Sequence, residues 1–468
     1  MTVRKMVVVT LAGAGLVLAG CASGPAGSTT GAGASSPSGT APASQAATGS
    51  VAATGSVAAT GSVAATGSVA ATGNAATATA TAVRTATASA GSVPGQRPRA
   101  LWLESVRMAS ASTGWALAVR GNPASARSDP VLLVRTGDGG RTWADVTPAG
   151  ARAMLATPDA APVLDVADAE RAYLAVSAAT QDTAASRNPT AVFATTDGGR
   201  AWTASVPFTV SGAPVQVTFA DASHGWLLLD VGSDASGHPL PWLYRTTDGR
   251  HWVPAANVAP PGSGGSNDMC QELGLAFPTA TTGWLHVGCR SGEFLVQSTD
   301  GGSSWQPQSL PWASSCAAPS TPCAVFGPQL SGGKAFVTVA PMTTAPAPAL
   351  LASTDLGQAW QPIPLPSGAG QYPQVSFFTP ASGLLVAMGS QQALGTVFYT
   401  TKDGGTSWSA VPQGRHFTQL GASVDFANTQ DGVVWIQAGD AQGATPPPLY
   451  ATADSGRTWT SFVPVLTG

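Results

Sequence analysis

The segment Thr136-Gly-Asp138-Gly-Gly140-Arg-Thr-Trp143 recurs along this 468-residue chain, and its recurrence indicates the fold. Six further copies keep its Thr or Ser, its Asp, a Gly and its closing Trp: Thr195–Trp202, Thr246–Trp252, Ser298–Trp305, Ser353–Trp360, Thr401–Trp408 and Thr452–Trp459. The seven aspartates are Asp138, Asp197, Asp248, Asp300, Asp355, Asp403 and Asp454. Successive aspartates lie 48 to 59 residues apart, and seven copies at such even spacing indicate a repeat architecture.

The chemistry of the motif predicts a tight hairpin turn. An Asp carboxylate accepts hydrogen bonds from nearby backbone N–H groups, and a following Gly adopts positive φ without steric cost. The closing Trp begins the next strand and is placed to pack across the turn. We therefore interpret these aspartates as structural.

A second landmark precedes each copy and opens an apolar strand. It is Gly114-Trp115 in the first repeat, and its equivalents are Ala172-Tyr173, Gly225-Trp226, Gly283-Trp284, Ala335-Phe336, Gly383-Leu384 and Gly432-Val433. Each repeat thus contains four antiparallel strands within about 50 residues, which is typical of a propeller blade. The predicted fold is all-β, a seven-bladed β-propeller over residues 101–468. One closure that the sequence allows is pairing of Leu101–Glu104 with blade 7.

The repeated motif resembles the Asp-box, or BNR repeat, of β-propellers. Seven such repeats in one propeller are similar to the photosystem II stability and assembly factor family, and the resemblance covers residues 101–468. It implies an extracytoplasmic propeller that binds protein partners without catalysis and without a cofactor. No binding residue is carried over from that family.

Composition excludes some classes of function. The net charge is −3 and only 10% of residues are charged, so the chain lacks the basic surface that nucleic-acid binding requires. The 55 Gly, 37 Pro and 14 Trp residues suit many short strands and turns.

Residues 1–20 are typical of a secretory signal peptide. Arg4 and Lys5 precede an apolar run that ends at Leu18-Ala-Gly-Cys21. Small residues before a cysteine resemble the lipobox of bacterial lipoproteins, which implies lipid on Cys21 and an extracytoplasmic protein anchored to the cell membrane. The alternative is an ordinary signal peptide with an incidental cysteine.

Residues 21–100 form a low-complexity tether in this interpretation. They contain few large apolar side chains, and Thr-Gly-Ser-Val-Ala-Ala repeats from Thr48, Thr54, Thr60 and Thr66. Such a segment cannot bury enough surface to offset its chain entropy, so we expect disorder. As a coil it would span on the order of 50 Å.

The four remaining cysteines predict two disulfides in an exported domain. Antiparallel pairing within blade 4 places Cys270 opposite Cys289, and Cys316 and Cys323 bracket a short Pro-containing loop. The five His residues form no ligand cluster with these cysteines, so we expect no metal site.

A glycoside hydrolase is the enzymatic alternative. Sialidases also contain Asp-boxes, but they need an arginine triad and a Tyr nucleophile with a Glu partner. This chain has only four Glu, and Tyr173 and Tyr244 fall in repeat strands where packing explains them. We therefore predict no catalytic residue.

Binding is expected on the loop face, the end of the blades opposite the repeated turns. Its long loops are Arg120–Pro130, Ser177–Pro189, Ala255–Glu272, Cys316–Cys323 and Ala438–Pro448. Variable loops on a rigid scaffold commonly carry binding. The expected partner is a protein or a glycan.

One position of the first strands also brings charges together. Counting eight residues back from each landmark gives Arg107, Asp165, Thr218, Ala276, Pro328, Ser376 and Asp425. The charged members, Arg107, Asp165 and Asp425, belong to blades 1, 2 and 7, which are neighbours in a closed ring. Two interpretations stay open: a structural ion cluster at the ring closure, or an axial patch that receives a ligand. The sequence thus predicts a lipid-anchored, non-catalytic binding or scaffolding propeller.

Overall fold

A computed structural model of the chain describes residues 99–121, 130–157, 160–178, 188–210, 213–230, 243–255, 271–289, 292–308, 310–311, 323–341, 347–370, 373–388, 396–413, 417, 422–436 and 445–467. All of them belong to one compact unit. Within these ranges, no helix is long and apolar enough to span a membrane.

Seven blades, each with four antiparallel strands, form a ring, and the predicted seven-bladed propeller is confirmed. Blades 1 to 3 contain β1 (Arg99–Ala100), β2 (Trp102–Met108), β3 (Gly114–Val119), β4 (Leu132–Thr136), β5 (Thr142–Asp145), β6 (Ala161–Val166), β7 (Ala172–Ser177), β8 (Asn188–Thr195), β9 (Thr203–Ala204), β10 (Phe208–Val210), β11 (Ala213–Phe219), β12 (Gly225–Asp230), β13 (Leu243–Thr246) and β14 (Val253–Pro254). Blades 4 and 5 contain β15 (Gln271–Ala276), β16 (Gly283–Cys289), β17 (Gly292–Ser298), β18 (Gln306–Pro307), β19 (Cys323–Ser331), β20 (Lys334–Pro341), β21 (Ala349–Ser353) and β22 (Gln361–Ile363). Blades 6 and 7 and the C-terminus contain β23 (Gln374–Phe377), β24 (Gly383–Met388), β25 (Thr396–Thr401), β26 (Ser409–Ala410), β27 (Ala422–Phe426), β28 (Gly432–Ile436), β29 (Leu449–Thr452), β30 (Thr460–Phe462) and β31 (Val465–Thr467).

A short helical segment joins blades 1 and 2. A 3₁₀ turn at Ala149–Ala151 leads into α1 (Arg152–Leu155). Leu155 is buried in the apolar cluster between these two blades, so the segment covers the edge of their interface.

Most of the core lies between neighbouring blades. Seven apolar clusters each combine side chains of two neighbouring blades, including the pair formed by blades 7 and 1. Ring stacking recurs across three interfaces: Tyr173 on Phe219, Trp226 on Phe277 and Phe336 on Phe377, with centroids 3.6 to 3.8 Å apart. A blade therefore depends on its neighbours for burial of its apolar faces.

The glycine of the second-strand landmark is explained by close packing within a blade. A Cβ at Gly283 would lie 2.3 Å from the ring of Phe277, the residue that follows the first strand β15. The same aromatic ring stacks on Trp226 of blade 3. Glycine thus leaves room for the ring that joins two blades.

The first and last strands of the propeller take part in ring closure, in a way that the sequence did not predict. Strand β31 pairs in parallel with β5 of blade 1 and antiparallel with β1. Residues 102–108 pair with β3 of their own blade, so pairing of Leu101–Glu104 with blade 7 is wrong as an account of closure. Only Leu101 contributes a backbone bond there, since its N–H donates to Pro464 O at 2.9 Å.

Candidate functional site

Each of the seven turns that hold the repeated aspartates, here called the repeat turns, joins the third and fourth strands of a blade. In blade 1, Thr136 Oγ1 donates to Asp138 Oδ1 at 2.9 Å, and Thr142 N–H donates to the same oxygen at 2.9 Å. Gly140 N–H donates to Thr136 Oγ1 at 2.9 Å. The hydroxyl-to-carboxylate bond recurs in all seven turns.

The repeat turns also connect elements. Gly301 N–H of the blade 4 turn donates to Thr281 O in the turn between the first two strands of its own blade, at 2.7 Å. From blade 3, Trp226 Nε1 donates to Gly301 O at 3.0 Å and Arg245 donates to Ser303 Oγ at 2.6 Å. The blade 4 repeat turn is therefore bonded both to its own blade and to blade 3.

These hydrogen bonds stabilise the ionised form of the repeat-turn carboxylates. Donation from the hydroxyl and then the N–H of Ser407, with Thr401, lowers the pKa of Asp403 to about 2. At Asp300, burial opposes this effect, but bonds from Ser304, Ser298 and Ser303 still lower the pKa to about 2. A carboxylate held this way is a poor proton donor near neutral pH.

The structure places Arg107, Asp165 and Asp425 at equivalent positions of the first strands. They pair with Trp115, Tyr173 and Val433, as the count of eight residues predicted. In blade 5 the count is off by one, because Gln329 rather than Pro328 pairs with Phe336. A tight turn at Gly332-Gly333 shortens the spacing there.

The two aspartates of this set accept backbone hydrogen bonds from the next blade. Asp425 Oδ2 accepts Met108 N–H at 2.6 Å, and Asp165 Oδ2 accepts Phe219 N–H at 3.1 Å. Gln329 Oε1 accepts Phe377 N–H at 2.8 Å in the same way. Each donor N–H belongs to the residue after the equivalent first-strand position of its own blade. The same kind of hydrogen bond therefore joins the first strands of three pairs of blades.

Arg107 and Asp425 lie close enough to influence each other. Burial lowers the pKa of Arg107 to about 10, against the attraction of Asp425 and Asp165. Burial raises the pKa of Asp425 to about 6, against Arg107 and the bond from Met108 N–H. Asp425 is only 4% exposed, whereas Arg107 and Asp165 are half-buried. The structure thus brings the predicted charged set together at the ring closure and gives both carboxylates a structural bond.

Sequence reasoning missed two features of this region. Gln216 joins blades 3 and 4, since its amide donates to Leu275 O at 2.7 Å and accepts Leu275 N–H at 2.9 Å. Asp145 binds Arg152 through two bonds of 3.1 and 3.2 Å and lies 3.7 Å from Arg120. Isolated polar residues in strands and loops carry no periodic signal that would have identified them.

Several predicted sites lie outside the described residues. They are Cys21 with its tether, Cys270, Cys316 and most of each loop-face loop. The backbones of Cys289 and Cys323 lie at the end of β16 and the start of β19, but their side chains are not described. Among the side chains that are described, no three His, Cys, Asp or Glu groups converge as metal ligands.

Comparison with known proteins finds solved structures of similar fold. The sequence matches no family model and no curated protein. Among solved structures, YCF48 bound to D1 peptide is 14% identical, with a TM-score of 0.40 over 77% of this chain and 92% of that one. The GH74 xyloglucanase from Xanthomonas campestris is 16% identical, with a TM-score of 0.33 over 78% and 68%. The BP39L lectin from Burkholderia pseudomallei is 13% identical, with a TM-score of 0.43 over 79% and 100%. At these identities and TM-scores, nothing about the role of this chain follows from the likeness.

Proposed function

We propose that this protein is a lipid-anchored, extracytoplasmic propeller that binds a protein or glycan partner on its loop face without catalysis. The proposal rests on the bonds that the described acidic side chains form within the protein. Every aspartate whose side chain is described accepts a hydrogen bond or forms an ion pair within the protein, in a repeat turn, a strand-connecting turn or a blade interface. These carboxylates support the scaffold, whereas glycoside hydrolysis needs a pair that is free to exchange a proton or attack the substrate.

The loop face supports this proposal by its position. On the opposite face, the carboxylates of the repeat turns accept hydrogen bonds within their own turns. The long loops that we predicted to bind begin and end on rigid strands such as β7 and β8, which pair over six residues. A rigid ring with variable loops at one end is a common arrangement for recognition.

The anchoring part of the proposal rests on the sequence Leu18-Ala-Gly-Cys21 and the tether that follows it. Cells producing the full chain would be fed an alkyne-labelled fatty acid. We expect label on the wild-type protein and recovery in the membrane fraction, both lost with Cys21→Ser. Cys289→Ser is the matched control and should keep the label. Equal labelling of Cys21→Ser would contradict lipid attachment at this residue.

Binding without catalysis needs a separate test. The purified protein would be incubated with a panel of cell-envelope glycans and proteins, and both retention and new reducing ends would be measured. We expect retention of one class of ligand with no release of reducing ends. Release that increases with protein concentration would instead identify a glycoside hydrolase.

A further inference from the structure

The interface between blades 7 and 1 is held differently from the other six. Consecutive blades follow one another along the chain, but blade 7 meets blade 1 only where the ring closes. Closure depends on β31, on Leu101 N–H to Pro464 O, and on the bond from Met108 N–H to Asp425 Oδ2. Asp425 is therefore the first-strand acceptor at the interface where blades distant in the sequence meet.

The equivalent acceptor between blades 5 and 6 is an amide. Gln329 Oε1 accepts Phe377 N–H at 2.8 Å, in the geometry that Asp425 Oδ2 has toward Met108 N–H. A neutral acceptor is thus sufficient for this bond. A protonated Asp425 keeps a carbonyl oxygen that can accept Met108 N–H, while it no longer carries a buried charge.

The charged neighbours of Asp425 offset only part of the free-energy cost of burying its ionised carboxylate. Facing strand β2 carries Arg107, which is half-buried, and Glu104 nearer the start of the strand. Asp165 lies beyond Arg107 and attracts the same guanidinium. Strands β3 and β28 carry no titratable side chain, and Asp431 in the turn after β27 bonds to Asn428 Nδ2 at 2.8 Å. Among the described residues, Arg107 is the cation that acts on Asp425, and Asp165 shares it, although Asp425 is only 4% exposed.

We propose that Asp425 makes closure of the ring proton-dependent, with the blade 7–blade 1 interface tighter when this carboxyl is protonated. The direction follows from linkage. The pKa of Asp425 rises in the fold from its ordinary value of 3.8 to about 6. A raised acid pKa means that the contribution to stability is full below pH 3.8 and declines as pH rises through 6. The interface then weakens between mildly acidic and neutral conditions.

Hydrogen exchange of the wild-type full chain tests this proposal without a mutation. The Met108 amide bonds to Asp425, and the Phe377 amide bonds to the neutral Gln329, so Phe377 serves as an internal control. After correction for intrinsic exchange, the protection of Met108 relative to Phe377 should fall between pH 5 and pH 7.5. With a pKa of about 6 in the fold and an ordinary value of 3.8, linkage predicts a fall of about tenfold over this pH range. A constant or rising ratio would overturn the proposal.

Thermal melting of a variant supplies the second measurement. Asp425→Asn keeps an acceptor and removes the titration, so its Tm relative to wild type should rise steadily from pH 5 to pH 7.5. Asp403→Asn is the control, because the pKa of Asp403 is lowered to about 2 and this carboxylate stays ionised throughout the range. A pH-independent difference for Asp425→Asn, or an equal trend for Asp403→Asn, would overturn the assignment to Asp425.

Discussion

At Leu356, in the blade 5 repeat turn, the backbone takes a φ of 58°. The corresponding position of the blade 1 turn is Gly139, at 75°. Left-handed backbone costs a non-glycine residue about 1–2 kcal/mol. Leu356 is also 37% exposed, so its side chain recovers little of that cost by burial.

Replacing Leu356 by Gly should therefore stabilise the protein by about 1 kcal/mol, because the relief of strain exceeds the added entropy of the unfolded chain. Urea denaturation would measure the change. Ser455→Gly is a parallel case, since Ser455 has a φ of 66° and should gain a similar amount. A loss of stability in both variants would show that strain is absent from these turns.

Substitution of a landmark glycine should instead destabilise the protein. Gly283→Ala would force a Cβ against Phe277, and overpacking of this kind costs about 1–3 kcal/mol. Gly137→Ala is the control, because a Cβ there would meet nothing within 4 Å. The two variants should differ clearly in the free energy of unfolding. Equal stability would mean that Phe277 moves aside without cost.

At the scale of the element, the repeat turns should carry an acid-dependent part of the stability. The pKa of Asp403 is lowered to about 2, so its contribution is present above its ordinary value of 3.8 and is lost as pH falls toward 2. Asp403→Asn should be less stable than wild type at pH 5, and the difference should shrink as pH falls to 2. Urea midpoints across this range would measure it. A difference that stays constant would show that ionised Asp403 does not hold the turn.

The two predicted disulfides also belong to this scale. Gln271 pairs with Gly288, so the register of blade 4 extends to the residues next to Cys270 and Cys289. Peptide mapping without reductant should yield the pairs Cys270–Cys289 and Cys316–Cys323. Any crossed pair, or four free thiols in the exported protein, would contradict this prediction.

The elements differ in how far the sequence predicted them. The repeat turns and landmarks were readable because each combines a few residues at short, fixed spacing. The count of eight residues located the first-strand position correctly where the turn to the second strand has its usual length. It was wrong at Pro328, where two glycines shorten that turn. Gln216 and Gln329 were missed because their partners lie 59 and 48 residues away, in another blade.

At the scale of the whole molecule, closure was the least predictable feature. Strand β31 is three residues long, and it meets β5 more than 300 residues earlier in the chain. No local pattern records such a contact. Once the ring is closed, Leu466 packs on the apolar cluster between blades 7 and 1.

Removal of residues 465–468 should therefore lower the Tm by several degrees, because blade 1 loses a paired strand and part of this cluster. Val463→Ser is the control: Val463 is 46% exposed, so the substitution should leave the Tm nearly unchanged. A truncated protein that melts like wild type would show that β31 is dispensable for closure.

The repeated residues build the scaffold, and we propose that the loop face binds the partner. Site-specific photo-crosslinking in cells that produce the full chain would distinguish the two faces. The crosslinker would replace Arg120, Ala178 or Thr445 beside the loop-face loops, and Arg200, Ser303 or Thr406 in the repeat turns. We predict one common crosslinked partner from the loop-face positions and none from the repeat turns. Crosslinking of that partner from the repeat turns instead would contradict the account.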